Sequence, residues 1–350
     1  MSRERKMKRI LVVRQENKLG DVLLTTPAFE HLKRSLPGCH ITAMIQRDQQ
    51  PVLRYNPYVD AMWHTEHIPP ASQLLVLARQ IRSGRFDAVF LMKYNSAMHT
   101  IASWLARVPI RAGNAHKYYA RMLTHNLRDD PSQATTHAVE YGTRKVQLVT
   151  ATWYDDLRIR LFLSPTARES AQQILTESGV RNGQYFCLHP GTGGSSHRWY
   201  PERYAEVADV LTRETGLRAV VTGTRGEQEL AQVICSRLGE RAVDLTGKTN
   251  LYETAAIVEG ARFVLSGDTG IVHVAAAMAT PCVVVHTVSE YEHLIRLFHP
   301  YKTPYRTVHP EAFCPGCTPQ RCHKQGEVCL RSIEAQRVVE ATYDLLRATG

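Results

Sequence analysis

The sequence has no apolar run approaching the roughly 18–20 residues of a membrane span. Its basic start, MSRERKMKR, lacks the apolar stretch and small-residue cleavage site of a signal peptide. The expected location is therefore the cytoplasm, without a transmembrane anchor. Neither GxxxxGK[ST] nor GxGxxG occurs, so neither a P-loop nor a dinucleotide-binding fold is supported. RNP, zinc-finger and helix-turn-helix signatures are also missing, which argues against specific nucleic-acid binding. Acidic residues are the scarcer charge, with 33 Asp and Glu against 43 Lys and Arg for a net +10. Such a surface favours anionic partners, among them nucleotides and an acidic membrane face; the alternative is a solvated surface without a partner.

What is present is the composition of a globular protein, 43% apolar and 22% charged. Its 350 residues suit two ordinary domains, each able to bury its own core. Short β-branched runs alternate with helical patterns: ILVVR, TPAFEHLKRSLPG, HITAMIQ, an extended PVLRYNPYVDAMWH, SQLLVLARQIRSGR and DAVFLM. That βαβ rhythm predicts a parallel sheet covered on both faces. Between about 95 and 160 the chain turns helical and polar, with few buried-strand runs. SPTAR then offers a helix start, with Ser164 or Thr166 as N-cap and Pro165 near the first turn. The rhythm resumes with QYFCLHPG and continues to PCVVVHT. The predicted class is α/β, with two doubly wound parallel-sheet domains, residues 1–164 and 165–350, facing one another across a cleft. The second domain includes a Cys-rich segment, 314–329, and a C-terminal helix.

In open parallel sheets ligands lie beyond the carboxyl ends of the strands, so the loops that follow strands carry the functional reading. In ENKLGDVLLTTP, Gly20 allows a tight turn and Asp21 falls at a helix N-terminus; a plain helix cap is the alternative. In HPGTGGSSHRWYPERY, a Gly/Ser/Thr-rich loop before a helix forms an anion site that Arg198 would complete, unless Arg198 is a solvated surface residue. In LSGDTGIVHVAAAMA, Thr269 and Gly270 can present backbone donors to an anion. Asp268 can accept from sugar hydroxyls, and His273 lies in the first turn; the alternative is a helix cap and a core histidine. In VVTGTRGEQELAQ, Glu227 can accept from a ribose or base, or serve as an acid favoured by the helix dipole. Gly247 to Asn250 can wall an adenine pocket.

Taken together, NKLGDVLLTTPAFEHLKRSLPG, HPGTGGSSHRWYPERYAEVADVL and LSGDTGIVHVAAAMATPCVVVHT resemble glycosyltransferase family 9, the ADP-heptose:lipopolysaccharide heptosyltransferases. FDAVFLMKYNSAMHTIASWLARVPIRAG adds a further block in the same order. The resemblance implies a GT-B fold, with two Rossmann-like domains, the acceptor mainly on the first and the nucleotide sugar mainly on the second. It implies an inverting, metal-independent transfer of heptose from ADP-heptose to an anionic lipid-linked inner-core saccharide, at or near the cytoplasmic membrane face. By motif, Asp21 stands at the catalytic aspartate, in a loop with Lys18 and Gly20 that meets the acceptor. Thr192, Arg198, Glu227, Asp268, Thr269, Gly270 and His273 stand at donor-binding positions, with Arg198 where the family usually has lysine. A sugar hydroxyl needs a base to take its proton as it attacks, and Asp21 is the expected base.

Near the C-terminus, FCPGCTPQRCHKQGEVCL spaces Cys314, Cys317, Cys322 and Cys329 at intervals that can enclose Zn²⁺ or iron tetrahedrally. The alternative is a loop of reduced thiols without metal. Similar cysteine-rich segments in the wider family imply a second possibility, a protein heptosyltransferase of the autotransporter type with a metal finger. A third, from another class, is a non-catalytic nucleotide-sugar-binding protein.

Overall fold

The computed structural model describes residues 7–15, 18–65, 70–94, 96–128, 136–192, 198–287, 291–311 and 327–350. The chain divides into two compact units, Met1–Phe162 and Leu163–Gly350.

The described strands of the first unit are β1 (Arg9–Arg14), β2 (His40–Gln46), β3 (Ala61–Thr65), β4 (Ala88–Leu91), β5 (Ile110–Gly113) and β6 (His125–Asn126). They form one parallel sheet in the order β3-β2-β1-β4-β5-β6. RILVVR and HITAMIQ are nearly continuous apolar runs because central parallel strands are covered on both faces. On one face, Leu11, Val13, Val89 and Leu91 share a core with Leu77 and Ile81 of helix Leu74–Ser83. Ala102 of helix Ala97–Leu105 and Tyr119 of the short helix Tyr118–Met122 complete that layer. Each such aliphatic or aromatic side chain, once buried, contributes about 1.5–3 kcal/mol.

The second unit repeats the plan with β7 (Tyr185–His189), β8 (Arg218–Val221), β9 (Ala242–Asp244), β10 (Val264–Gly267), β11 (Cys282–Val285) and β12 (Tyr305–Val308). Its order is β12-β11-β10-β7-β8-β9, again wholly parallel. Read from β9, this is the same winding as the first sheet. Phe186, Leu188, Val221, Leu265 and Val283 anchor its core beneath helices Pro201–Thr215, Gln228–Leu238 and Ala335–Thr349. In each sheet the chain starts at a central strand, builds one half, then crosses to build the other. The switch points therefore lie between β1 and β4, and between β7 and β10.

Three local expectations are corrected. The extended reading of 51–64 holds only for its end: Gln50–Leu53 is helical, and Pro51 in its first turn has no N–H that the helix would need there. The 95–160 region contributes two strands, but β5 is only IRAG and β6 only HN, too short to carry an alternating pattern. β12, YRTV, has no counterpart among the expected strands. Early in the second unit, Thr166 is the N-cap of helix Ala167–Glu177, without a side-chain cap bond.

Candidate active site

At the first switch point β1 ends on Arg14, and after a short connection Lys18 caps the helix Leu19–Leu23. Gly20 is buried inside this helix rather than forming a tight turn, and Asp21 sits in its first turn rather than capping it. The Asp21 side chain is instead bonded to the end of β1: Arg14 Nη2 donates to Asp21 Oδ1 at 2.7 Å. Arg14 Nη1 also donates to the Met92 carbonyl at 3.2 Å, just beyond β4. The fully buried Lys145 donates to the same carbonyl at 2.9 Å. Met92 O thus receives two cations, one of which holds Asp21. Thr25 Oγ1 donates to the Asp21 carbonyl at 3.0 Å and Thr26 Oγ1 to Leu23 O at 2.7 Å. These bonds fasten the short helix to the longer one, Thr26–Ser35, that follows it.

A second polar chain lies beside this one. Gln15, buried directly after β1, donates to Thr65 Oγ1 at the end of β3 and accepts through Oε1 from His99 Nε2. Ser96 Oγ donates to His99 Nδ1 at 2.9 Å. With the Gln15 amide turned this way, its oxygen needs a donor, so His99 is the Nε2–H tautomer. Burial, reinforced by Lys93, pushes the His99 pKa down to about 4. The ring is therefore neutral near pH 7.

At the second switch point the loop after β7 carries Gly191 and Thr192, and Arg198 follows with an exposed side chain. Glu227, beyond β8, accepts from the Thr224 N–H at 2.7 Å and the Thr224 hydroxyl at 2.9 Å, closing a capping box. Its carboxylate also leans over the β7 loop, where a Cβ on residue 191 would lie 1.8 Å from Glu227 Oε1. Glycine at 191 is the space Glu227 occupies. His189, at the end of β7, meets Thr222 Oγ1 at 3.2 Å, and burial lowers its pKa against the opposing pull of Glu227. Gly247, after β9, has φ +71° and approaches the Arg225 backbone, so a side chain there is excluded twice.

Beyond β10, Thr269 rather than Asp268 is the N-cap of helix Gly270–Met278, and the Thr269 side chain makes no cap bond. Thr192 Cγ2 would lie 3.8 Å from a Cβ at Gly267, so the β7 and β10 loops approach closely. His273 is buried within the helix. Asp268 Oδ2 lies 3.8 Å from Nδ1 of His286, a residue just past β11 that is only 2% exposed. Neither ring nitrogen of His286 has a hydrogen-bond partner, and burial with the neighbouring His309 pushes its pKa down to about 4. The buried Thr269 and Thr246 hydroxyls, beyond β10 and β9, are also without partners.

The structure thus brings Glu227 to the Thr192 loop, Thr192 to the end of β10, and Asp268 to His286. Arg198 is joined to Thr192 through 193–197, which lie outside the described residues. Arg14, Gln15, His99, Lys145 and His286 were not singled out from sequence. Of the cysteine quartet, Cys314, Cys317 and Cys322 lie outside the described residues. Cys329 is buried, and its Sγ lies 3.8 Å from Thr287 O. Among the described residues, no three His, Cys, Asp or Glu side chains are grouped to hold a metal ion.

Two parallel six-stranded sheets of this order, each covered by helices, form the two Rossmann-like domains of a GT-B fold. Residues 74–323 match the model of glycosyltransferase family 9 (heptosyltransferase), and the chain belongs to that family. It is 24% identical over 280 residues to lipopolysaccharide heptosyltransferase 3 of Escherichia coli K12, covering 75% of this chain and 78% of that one. A family 9 glycosyl transferase from Veillonella parvula shares the fold with a TM-score of 0.79, at 24% identity and 97% coverage of both chains. The ADP-heptose lipopolysaccharide heptosyltransferase II of Escherichia coli does so with a TM-score of 0.72, at 21% identity and coverage of 98% and 99%.

Proposed function

We propose that the protein transfers a heptose from ADP-heptose to an anionic, lipid-linked inner-core saccharide of lipopolysaccharide, with inversion and without a catalytic metal. The acceptor is assigned to residues 1–164 and the nucleotide sugar to 165–350. The observation that carries the reading is the Arg14–Asp21 pair: a carboxylate at the first switch point, held through Oδ1 by a cation on the strand beneath it. Family membership and the names of its relatives support the donor and acceptor classes.

The chemistry follows from those positions. The acceptor hydroxyl oxygen attacks the anomeric carbon, its proton passes to Asp21, and the bond from that carbon to the β-phosphate oxygen of ADP breaks. Lys18 and Gly20 border the acceptor. On the donor side, Glu227 receives a ribose hydroxyl on the oxygen turned toward Gly191, and Thr192 lines the diphosphate. Charge developing on departing ADP is met by Arg198 and by the Thr269 and Gly270 amides at a helix N-terminus. Asp268 accepts from the heptose hydroxyls, with His273 and His286 beside it.

The test is incubation of purified protein with ADP-heptose and either delipidated inner-core saccharide or candidate polypeptides, with products read by mass spectrometry. Heptose on the saccharide is expected. Label on polypeptide alone, or ADP-heptose binding with no transfer to any acceptor, overturns the assignment.

A further inference from the structure

One face of the first unit has a composition that catalysis does not use. Helices Leu74–Ser83 and Ala97–Leu105 and the short helix Tyr118–Met122 together form the layer covering one side of the first sheet. Their inward residues, such as Leu77, Ile81, Ala102 and Tyr119, fill the core against β1 and β4. Their outward residues include four large apolar side chains: Leu75 at 61% exposure, Val76 at 50%, Trp104 at 47% and Tyr118 at 68%.

The charge on this layer has one sign. Residues 70–128 contain nine Lys and Arg but a single acid, Asp87. Asp87 precedes β4 at the amino end of the sheet, where its carboxylate accepts from the backbone N–H groups of Lys8 and Arg9 at 2.9 and 3.0 Å. It is thus spent on the sheet edge. Arg79 on helix Leu74–Ser83, Lys117 at the N-cap of the short helix Tyr118–Met122 and Arg121 within it are exposed. The chain as a whole is far more balanced, at 43 basic to 33 acidic residues.

We propose that this layer is the protein's docking surface for an anionic lipid bilayer. Basic side chains are drawn to the negative headgroups. Trp and Tyr favour the headgroup level, where one end of the ring is apolar and the other wet, and Leu75 and Val76 can enter the acyl boundary. Arginine and lysine stems can lie along apolar material while their heads stay with phosphate. A nucleic acid would satisfy the charge but would leave the aliphatic side chains exposed, so the mixture favours lipid. The inference fits the reading of the acceptor as lipid-linked and rests on that reading for its purpose.

The test is co-sedimentation with vesicles of phosphatidylcholine alone and of phosphatidylcholine with 30 mol% phosphatidylglycerol, a composition of our choosing at roughly the charge density of an anionic leaflet. Partition into the anionic vesicles is expected, weakening as salt is raised. The triple variant Arg79→Gln, Lys117→Gln, Arg121→Gln and the separate variant Leu75→Ser, Trp104→Ala are each expected to lower partition at least about tenfold. Transfer to a delipidated acceptor is measured on the same samples and should stay within about twofold, since none of these residues lies at a switch point. Equal binding to both vesicle types, or variants that bind as the parent does, overturns the surface. So does tight binding of a single-stranded oligonucleotide that the Leu75 and Trp104 changes leave intact. Loss of transfer in the unaltered protein would instead count against the catalytic reading, so the two failures are separable.

Discussion

Arg14 and Asp21 are seven positions apart yet bonded at 2.7 Å, because a strand end and the first turn of the next helix meet at the same switch point. Asparagine at 21 would keep the shape and an acceptor oxygen but could not take up a proton. Asp21→Asn should therefore lower kcat by about 10²–10⁴, with KM for ADP-heptose within about twofold. Arg14→Lys keeps the charge but loses the fork that spans Asp21 and Met92 O, and should lower kcat about tenfold with the same unchanged donor KM. Steady-state kinetics on the two variants would decide this; parental kcat in Asp21→Asn would remove the base.

A second prediction concerns the close approach at Gly191. Any Cβ there collides with the Glu227 carboxylate at 1.8 Å, but that carboxylate ends a flexible side chain. Gly191→Ala should therefore fold with a cost of about 1–2 kcal/mol while displacing Glu227 from the nucleoside position. The KM for ADP-heptose should rise about tenfold, the scale of one lost hydrogen bond to a charged group. In a Glu227→Ala background the collision is gone, and adding Gly191→Ala should change KM little further. Additive effects of the two substitutions would contradict the assignment.

How much of this was legible beforehand follows from the kind of signal each feature leaves. RILVVR and CVVV announce buried parallel strands because their apolar runs are what two-sided burial demands. GDTG announces a strand-to-helix turn. By contrast, β6 is two polar residues held by pairing with β5, and its existence is a tertiary fact. Arg14 reads as an ordinary strand-end arginine until β4 brings Met92 O alongside it. Glu227 carried two readings, an acid favoured by the helix dipole and a ligand contact; the structure places it as the N3 acid of a capping box on Thr224, with its second oxygen turned toward the β7 loop. His99 and His286 left no local pattern, since what distinguishes them is the presence or lack of partners distant in sequence.

The buried histidines predict an acid limit. In the unfolded chain a histidine titrates near 6.5, whereas His99 in the folded chain is pushed down to about 4. Between those values the unfolded state binds more protons, so stability rises with pH there. The contribution of the neutral ring is complete above about 6.5 and is lost as pH falls toward 4, reaching about 2 kcal/mol by pH 5. His99→Gln, which can still donate to Gln15, should flatten the pH dependence of urea unfolding between pH 7 and pH 5. An unaltered slope would mean that His99 does not report the acid transition.

His286 allows stability and function to be separated. A buried imidazole with both nitrogens unbonded lowers the stability of the ligand-free protein, and replacing such a group with an apolar one of similar size is neutral or stabilising. His286→Leu should therefore raise the thermal midpoint, or leave it unchanged, by removing an unsatisfied polar group next to Asp268. If the ring lies beside the heptose and steadies Asp268, the same substitution should raise KM for ADP-heptose several-fold while leaving binding of free ADP unchanged, because ADP lacks the sugar that Asp268 receives. His286→Asn, which retains a donor, should recover part of that loss. A purely structural histidine would give the opposite pattern, with the midpoint lowered and the donor and ADP affected alike.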